Sequence, residues 1–145
     1  MNPETKQSII DIINACQNVM LGTVALPRAG VVYPETRHVM NGLNREITDL
    51  EVLRFLTSNK SPKYAQLMAN PNVCLYYFRE SDHHVVRLFG QMEIVADADE
   101  VKASWRDEWK AYGYIGADDT TYTLLKFTPQ IYKFYAGAEL MEGAI

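Results

Sequence analysis

The sequence predicts an α+β protein in which six or seven antiparallel strands close into a small barrel with helices on its flanks. Three observations carry this. Short β-rich runs recur along the chain, parted by Gly, Pro, Asn and Asp turn signals. Three segments open with helix-start chemistry, at Asn2-Pro3-Glu4, at Ser61-Pro62 and at Asp97 or Asp99. Strands this numerous within 145 residues favour closure.

The elements follow in order. After the cap at Asn2, the apolar residues Ile9, Ile10, Ile12, Ile13 and Cys16 give one helical face through about Gln17. Val19 to Leu26 reads as a strand, Pro27 to Gly30 as a turn, and Val31 to Asn41 as the returning strand. Pro34 places that strand at an edge or a bulge. Gly42 to Asp49 is polar and turn-like, and Glu51 to Thr57 is a third strand whose pattern would also suit a helix. A helix runs from Pro62 to about Ala69, where Asn70-Pro71 stops it. Val73 to Arg79 and Val85 to Ala96 are strands around a turn at Glu80 to His83, with Gly90 marking a bulge or a close backbone contact. Asp97 to Tyr112 reads as one helix and Gly113 to Thr120 as a loop. Tyr122 to Phe127 and Gln130 to Tyr135 read as two strands parted by Thr128-Pro129, and the tail from Ala136 as frayed. No repeat or linker interrupts residues 1–145, so a single domain is expected.

Composition narrows the function. Hydrophobic residues make up 48% and charged residues 22%, a globular balance. The net charge of −4 argues against a general nucleic-acid binder, which needs a basic face, but allows a local basic pocket. Cys16 and Cys74 stand far apart without metal-ligand spacing and read as small buried hydrophobes in a reducing compartment. No apolar run reaches the length of a membrane span and no signal-peptide pattern opens the chain, so the expected location is the cytoplasm.

The chemistry concentrates in Phe55 to Lys63. A strand ends there and a helix begins at Ser61-Pro62, with Lys60 before it and Lys63 in its first turn. A cation in that turn opposes the helix dipole, so an anion is expected beside it. A phosphate could use backbone N–H groups, the hydroxyls of Thr57, Ser58 and Ser61, and the lysines. Solvated lysines beside an ordinary capped helix would look the same. In Thr36-Arg37-His38-Val39, alternation sends Arg37 and Val39 to one face and His38 and Met40 to the other; an Arg facing a barrel interior needs an anion. The pair His83-His84 lies in a turn and does not read as a metal site. Trp105 and Trp109 share a helical face, as core or interface packing or as an aromatic wall beside a planar ligand.

These pieces, in their order, resemble the FMN-binding split barrel of the pyridoxamine 5′-phosphate oxidase-like superfamily, and most of all its general stress protein branch. The similar features are the hairpin from Met20-Leu21-Gly22-Thr23-Val24 to Arg37-His38-Val39-Met40, the stretch Thr57 to Lys63, Asn70-Pro71-Asn72-Val73, Gly90 in the next strand, and Leu124-Leu125-Lys126-Phe127-Thr128-Pro129. The resemblance covers nearly all of the chain beyond the first helix.

The resemblance implies a six- to seven-stranded antiparallel split β-barrel that dimerises with FMN at the interface. Arg37 and Lys63 would hold the phosphate, with Thr57 and Ser61 assisting. His38, Val39 and Met40 would run along the flavin ring, largely through backbone, and Leu56 and Thr57 would line the same site. It implies an FMN-dependent oxidoreductase, with NADH or NADPH as a candidate donor. A flavin-binding or stress-sensing module without turnover, and another planar cofactor such as a deazaflavin or haem, are the alternatives. The chain departs from the true oxidases at Pro62, where they carry a second basic residue. It departs again at Val85, where they carry a flavin-contacting Gln, and in its C-terminal segment, which lacks their Arg and His. These departures argue against oxidation of pyridoxamine phosphate itself. No residue stands out as a catalytic acid or base.

Overall fold

A computed structural model describes residues 1–145. Its first element, α1 (Pro3–Ala15), starts where the caps predict: the Asn2 side chain accepts a hydrogen bond from the Thr5 amide at 2.7 Å and Pro3 fills the first position. Ile9, Ile10, Ile12 and Ile13 are buried in the main core. Burying each such side chain stabilises by about 1.5–3 kcal/mol, so packing rather than helix propensity holds α1 in place.

The strands are β1 (Asn18–Val24), β2 (Pro34–Met40), β3 (Leu53–Ser58), β4 (Asn72–Arg79), β5 (His84–Ile94), β6 (Tyr122–Ala136) and β7 (Glu139–Ala144). The helix α2 spans Pro62–Ala69 and α3 spans Ala98–Ala103. All seven strands form one antiparallel sheet in the order β2-β1-β4-β5-β6-β3, with β7 added along the second half of β6. The two terminal strands, β2 and β3, approach each other as the sheet curls. The barrel is therefore closed by proximity rather than by a hydrogen-bonded ladder, and the split runs between β2 and β3.

Pro34 opens β2, an edge strand, as its missing N–H requires. The hairpin before it turns at Ala29 and Gly30, both with positive φ, between the paired residues Arg28 and Val31. The strand proper starts at Pro34, three residues later than the sequence predicts. The ambiguous third run is a strand.

Three expectations are corrected. Residues 97–112 do not form one helix. Asp97 caps α3, which ends at Ser104; the backbone extends at Arg106, and a 3-10 helix covers Asp107–Tyr112. The break lets Trp105, Trp109 and Tyr114 all pack on Tyr122, with ring centroids 5.4–6.4 Å apart. The two final strands are one. Thr128-Pro129 continues β6 because β5 shifts register between Phe89 and Gly90, directly opposite Pro129. A Cβ on Gly90 would lie 2.1 Å from the Thr128 carbonyl oxygen, so only glycine admits this approach. The tail is not frayed: Gly137, with φ +64°, turns the chain back so that β7 pairs with β6 from Ile131 to Ala136.

A polar clasp spans one end of the split. Asn44, in a 3-10 turn after β2, receives the Arg54 amide and donates to the Arg54 carbonyl, both at 2.8 Å, which imitates a ladder pair on the free edge of β3. It also donates to Asn41 Oδ1 at 3.1 Å. Asn41, fully buried, donates to the carbonyls of Ile13 and Cys16 and accepts from the Tyr77 hydroxyl.

Candidate functional site

The predicted site residues fall on the two strands that flank the split and on the helix beside them. On β2, alternation places Glu35, Arg37 and Val39 on the inward face and Thr36, His38 and Met40 on the outward one. Val39 is in the core, so only its backbone remains available to a ligand. His38 is exposed, opposite Met20 of β1.

On β3, Thr57 turns inward and is buried, while Leu56 faces the other way. The strand hands over to α2 through Asn59, whose amide and side chain bond to the Thr121 and Thr120 carbonyls. Ser61 occupies the cap position and Pro62 the first helical position, as predicted. The Ser61 hydroxyl does not cap a backbone N–H, however. It accepts from Lys63 Nζ at 2.9 Å.

Lys63 is half-buried, and this burial, aided by the nearby Arg37 guanidinium, holds its ammonium below the usual lysine range. No carboxylate stands against it. Two cations thus converge at the start of α2, in the first turn where the helix dipole favours negative charge. Arg37 does have an anion, Glu35, at 2.9 Å, and shares it with Gln66 of α2. Arg37 also donates to Thr23 and Gln66 at 2.6 and 3.0 Å. The hydrogen bond from Gln66, ahead of the arginine charges, keeps the Glu35 carboxyl below its ordinary range.

A second group assembles beyond the split. Met40 and Leu56, one from each flanking strand, line an apolar slot with Gly42, Leu43, Trp109, Tyr112 and Tyr114. Trp109 is therefore both core packing and slot wall. The slot's volume of about 110 Å³ is below the roughly 300–1,000 Å³ of a self-contained ligand pocket. It can take the edge of a planar group and no more.

The structure thus brings together Arg37, Ser61 and Lys63 at one end and Met40 and Leu56 at the other. Thr57 lies between them as a buried strand residue, and His38 and Val39 take part through edge-strand backbone alone. Thr23, Glu35 and Gln66 escape the sequence reading. Glu35 carried a signal, since it sits two residues before Arg37 on the same strand face.

The outward sheet face beside β2 is apolar. Met20, Tyr76, Phe78 and Ile131 are 39–48% exposed on it, and Arg87 lies among them with its guanidinium over the Tyr135 ring. No helix is long and apolar enough to cross a membrane. Both thiols are free. His83 stacks on Phe78 and His84 Nδ1 meets Asp82 at 3.1 Å.

The sequence model of the family described as "Pyridoxamine 5'-phosphate oxidase like" matches residues 4–139. No curated protein matches the chain significantly. Among solved structures, a protein from Clostridium acetobutylicum related to general stress protein 26 superposes with a TM-score of 0.84 at 23% identity, covering 100% of this chain and 97% of that one. A pyridoxamine 5′-phosphate oxidase-related, FMN-binding protein from Nostoc punctiforme gives 0.68 at 16% identity, covering 100% and 97%. A heme-binding protein from Mycobacterium smegmatis gives 0.70 at 14% identity, covering 99% of this chain and 59% of that one. At these identities the likenesses establish the shared fold.

Proposed function

The chain belongs to the pyridoxamine 5′-phosphate oxidase-like family, and from that premise we propose that it binds FMN and works as a small FMN-dependent oxidoreductase. The observation that carries this reading is the pairing of Arg37 with a half-buried Lys63 that has no carboxylate partner, at the start of α2. Two cations that repel each other across a helix N-terminus fit a dianionic phosphate. The apolar slot at Met40 and Leu56 lies farther along the same two strands and fits the edge of a flat ring.

On this reading Lys63 and Arg37 neutralise the phosphate, and Ser61 and Thr57 lend hydroxyls. His38, Val39 and Met40 offer backbone from the free side of an edge strand, and Leu56 and Trp109 exclude water from the ring edge. FMN would supply hydride chemistry, with NADH or NADPH as donor and the protein providing position and electrostatics. Pro62 occupies the first helical position and β7 carries neither Arg nor His, so oxidation of pyridoxamine phosphate is not proposed.

The slot is too small to enclose a flavin, and the outward sheet face exposes Met20, Tyr76 and Phe78. Both point to a homodimer that completes the site, in keeping with the family. A non-catalytic flavin sensor and a haem or deazaflavin protein are the competing readings, and the heme-binding neighbour favours haem among them.

One experiment separates them. The purified protein, loaded with FMN, is expected to show flavin absorption bands that bleach anaerobically with NADH or NADPH, and light scattering is expected to give a dimer. Flavin bands that no nicotinamide bleaches would favour the sensor. A Soret band with haem and no binding of FMN would overturn the flavin reading.

A further inference from the structure

Arg37 is held by three side chains, and what they consume decides what it can still grip. A guanidinium offers two forks to a phosphate or carboxylate. One combines Nε–H with an Nη2 hydrogen; the other combines the second Nη2 hydrogen with Nη1. Both forks need Nη2. Here Nη2 donates to Glu35 Oε2 at 2.9 Å and to Gln66 Oε1 at 3.0 Å. Nη1 donates to Thr23 Oγ1 at 2.6 Å. Neither fork remains whole.

The carboxylate responsible is well anchored. Gln66 Nε2 donates to Glu35 Oε2 at 2.6 Å, and Arg28 Nη2 reaches Oε1 at 3.2 Å. Glu35 lies on the same face of β2 as Arg37, so the strand itself delivers the anion to the cation. Lys63, by contrast, keeps only a serine hydroxyl.

We infer that Glu35 is an internal competitor for the anion site: its carboxylate holds the face of Arg37 that a bidentate phosphate requires. This rests on the flavin reading and adds a specificity element to it. A phosphomonoester must exchange one charge-assisted bond for another at Nη2, so it gains only the difference. A dianion that also engages Lys63 offsets that exchange. A ligand without phosphate meets neither the cost nor the gain. Glu35 therefore lowers FMN affinity and leaves riboflavin affinity untouched.

The test compares the flavin-free parent with Glu35→Gln and Glu35→Ala, titrated with FMN and with riboflavin by flavin fluorescence quenching. Glu35 is part-exposed on an edge strand, so both variants are expected to fold, which circular dichroism would verify. Both are expected to bind FMN about tenfold more tightly than the parent, the equivalent of about 1.4 kcal/mol, with riboflavin unchanged. Equal or weaker FMN binding would make Glu35 a support for Arg37 and overturn the inference. Equal tightening of FMN and riboflavin would also overturn it, since the phosphate would not be the moiety concerned. A parent that binds neither flavin would instead remove the flavin reading, and this inference with it.

Discussion

Replacing Lys63 with Glu probes the anion site most directly, because it should act in opposite directions on folding and on binding. In the protein without flavin, the half-buried ammonium sits in the first turn of α2 and is repelled by Arg37. A cation at that position is unfavourable by about 0.3–1 kcal/mol, and a carboxylate there is favourable by a similar amount. The Ser61 hydroxyl loses its ammonium donor, a charge-assisted contact that solvent screening at this part-exposed site holds to about 0.5–1.5 kcal/mol net, while Arg37 exchanges a like charge for an opposite one. The balance predicts a flavin-free variant as stable as the parent or up to about 1 kcal/mol more stable. For a chain of this length that is a rise in Tm of roughly 2–4 °C per kcal/mol. Binding should move the other way. A charge-assisted bond to phosphate contributes about 1.5–3 kcal/mol, so its loss alone weakens FMN roughly ten- to a hundredfold, and repulsion adds to that. Urea melts of the flavin-free proteins and titrations with FMN and riboflavin supply the two measurements. If Lys63→Glu binds FMN as tightly as the parent, or loses FMN and riboflavin equally, the phosphate is not at the start of α2.

Three further outcomes are expected. Gly90→Ala should shift the urea midpoint by an amount corresponding to at least about 2–3 kcal/mol, because its methyl would meet the Thr128 carbonyl oxygen and Pro129 Cα, both backbone; a near-neutral result would mean the β5–β6 bulge yields easily. Ser61→Ala should cost about 0.5–1.5 kcal/mol in the parent, the worth of its contact with Lys63, and close to nothing in a Lys63→Ala background, since its hydroxyl serves Lys63 rather than a helix N–H; a loss of about 1 kcal/mol that persists in that background would show that it caps after all. Asn44→Ala should cost about 1–3 kcal/mol in the same melts by leaving the Arg54 amide and carbonyl without their partner, and an unchanged midpoint would mean water replaces the clasp at no cost.

What the sequence reveals here depends on how local the determining physics is. The helix Pro62–Ala69 is legible because Ser61-Pro62 and Asn70-Pro71 punctuate it within the chain itself. Strand alternation puts Arg37 on one face with Val39, and the packing of Val39 into the core, which the sequence left open, makes that face the inward one. Pro129 misleads because a proline reads as a strand end, whereas its tolerance rests on a register shift in another strand, at Gly90. Strand β7 escapes notice for a related reason: Leu140 and Met141 gain order only from β6. The helix break at Ser104–Arg106 follows from three aromatic side chains collecting on Tyr122, a residue outside the segment. At the site, the two cations were readable and their network was not. Gln66 and Thr23 look like ordinary polar residues until α2 is laid across β1 and β2, where the Thr23 hydroxyl donates to Gln66 at 2.6 Å.

The buried clasp at the end of β2 also bears on how this protein ages. Asn41 is followed by Gly42, the pairing in which a backbone nitrogen most readily attacks a side-chain amide, since glycine offers no steric shield. In the folded chain the Asn41 amide nitrogen is engaged by the carbonyls of Ile13 and Cys16 and its oxygen by Tyr77 and Asn44, so the side chain is not free to swing onto that nitrogen. Deamidation would place a carboxylate in a fully buried position, facing two carbonyl oxygens that it could only repel. Chemical lifetime at this position is therefore coupled to folding: each excursion to the unfolded state exposes Asn41-Gly42, and a molecule that deamidates there returns to a fold that no longer closes well. Mass spectrometry of protein incubated just below and just above its unfolding midpoint should find the modified peptide accumulating chiefly above it.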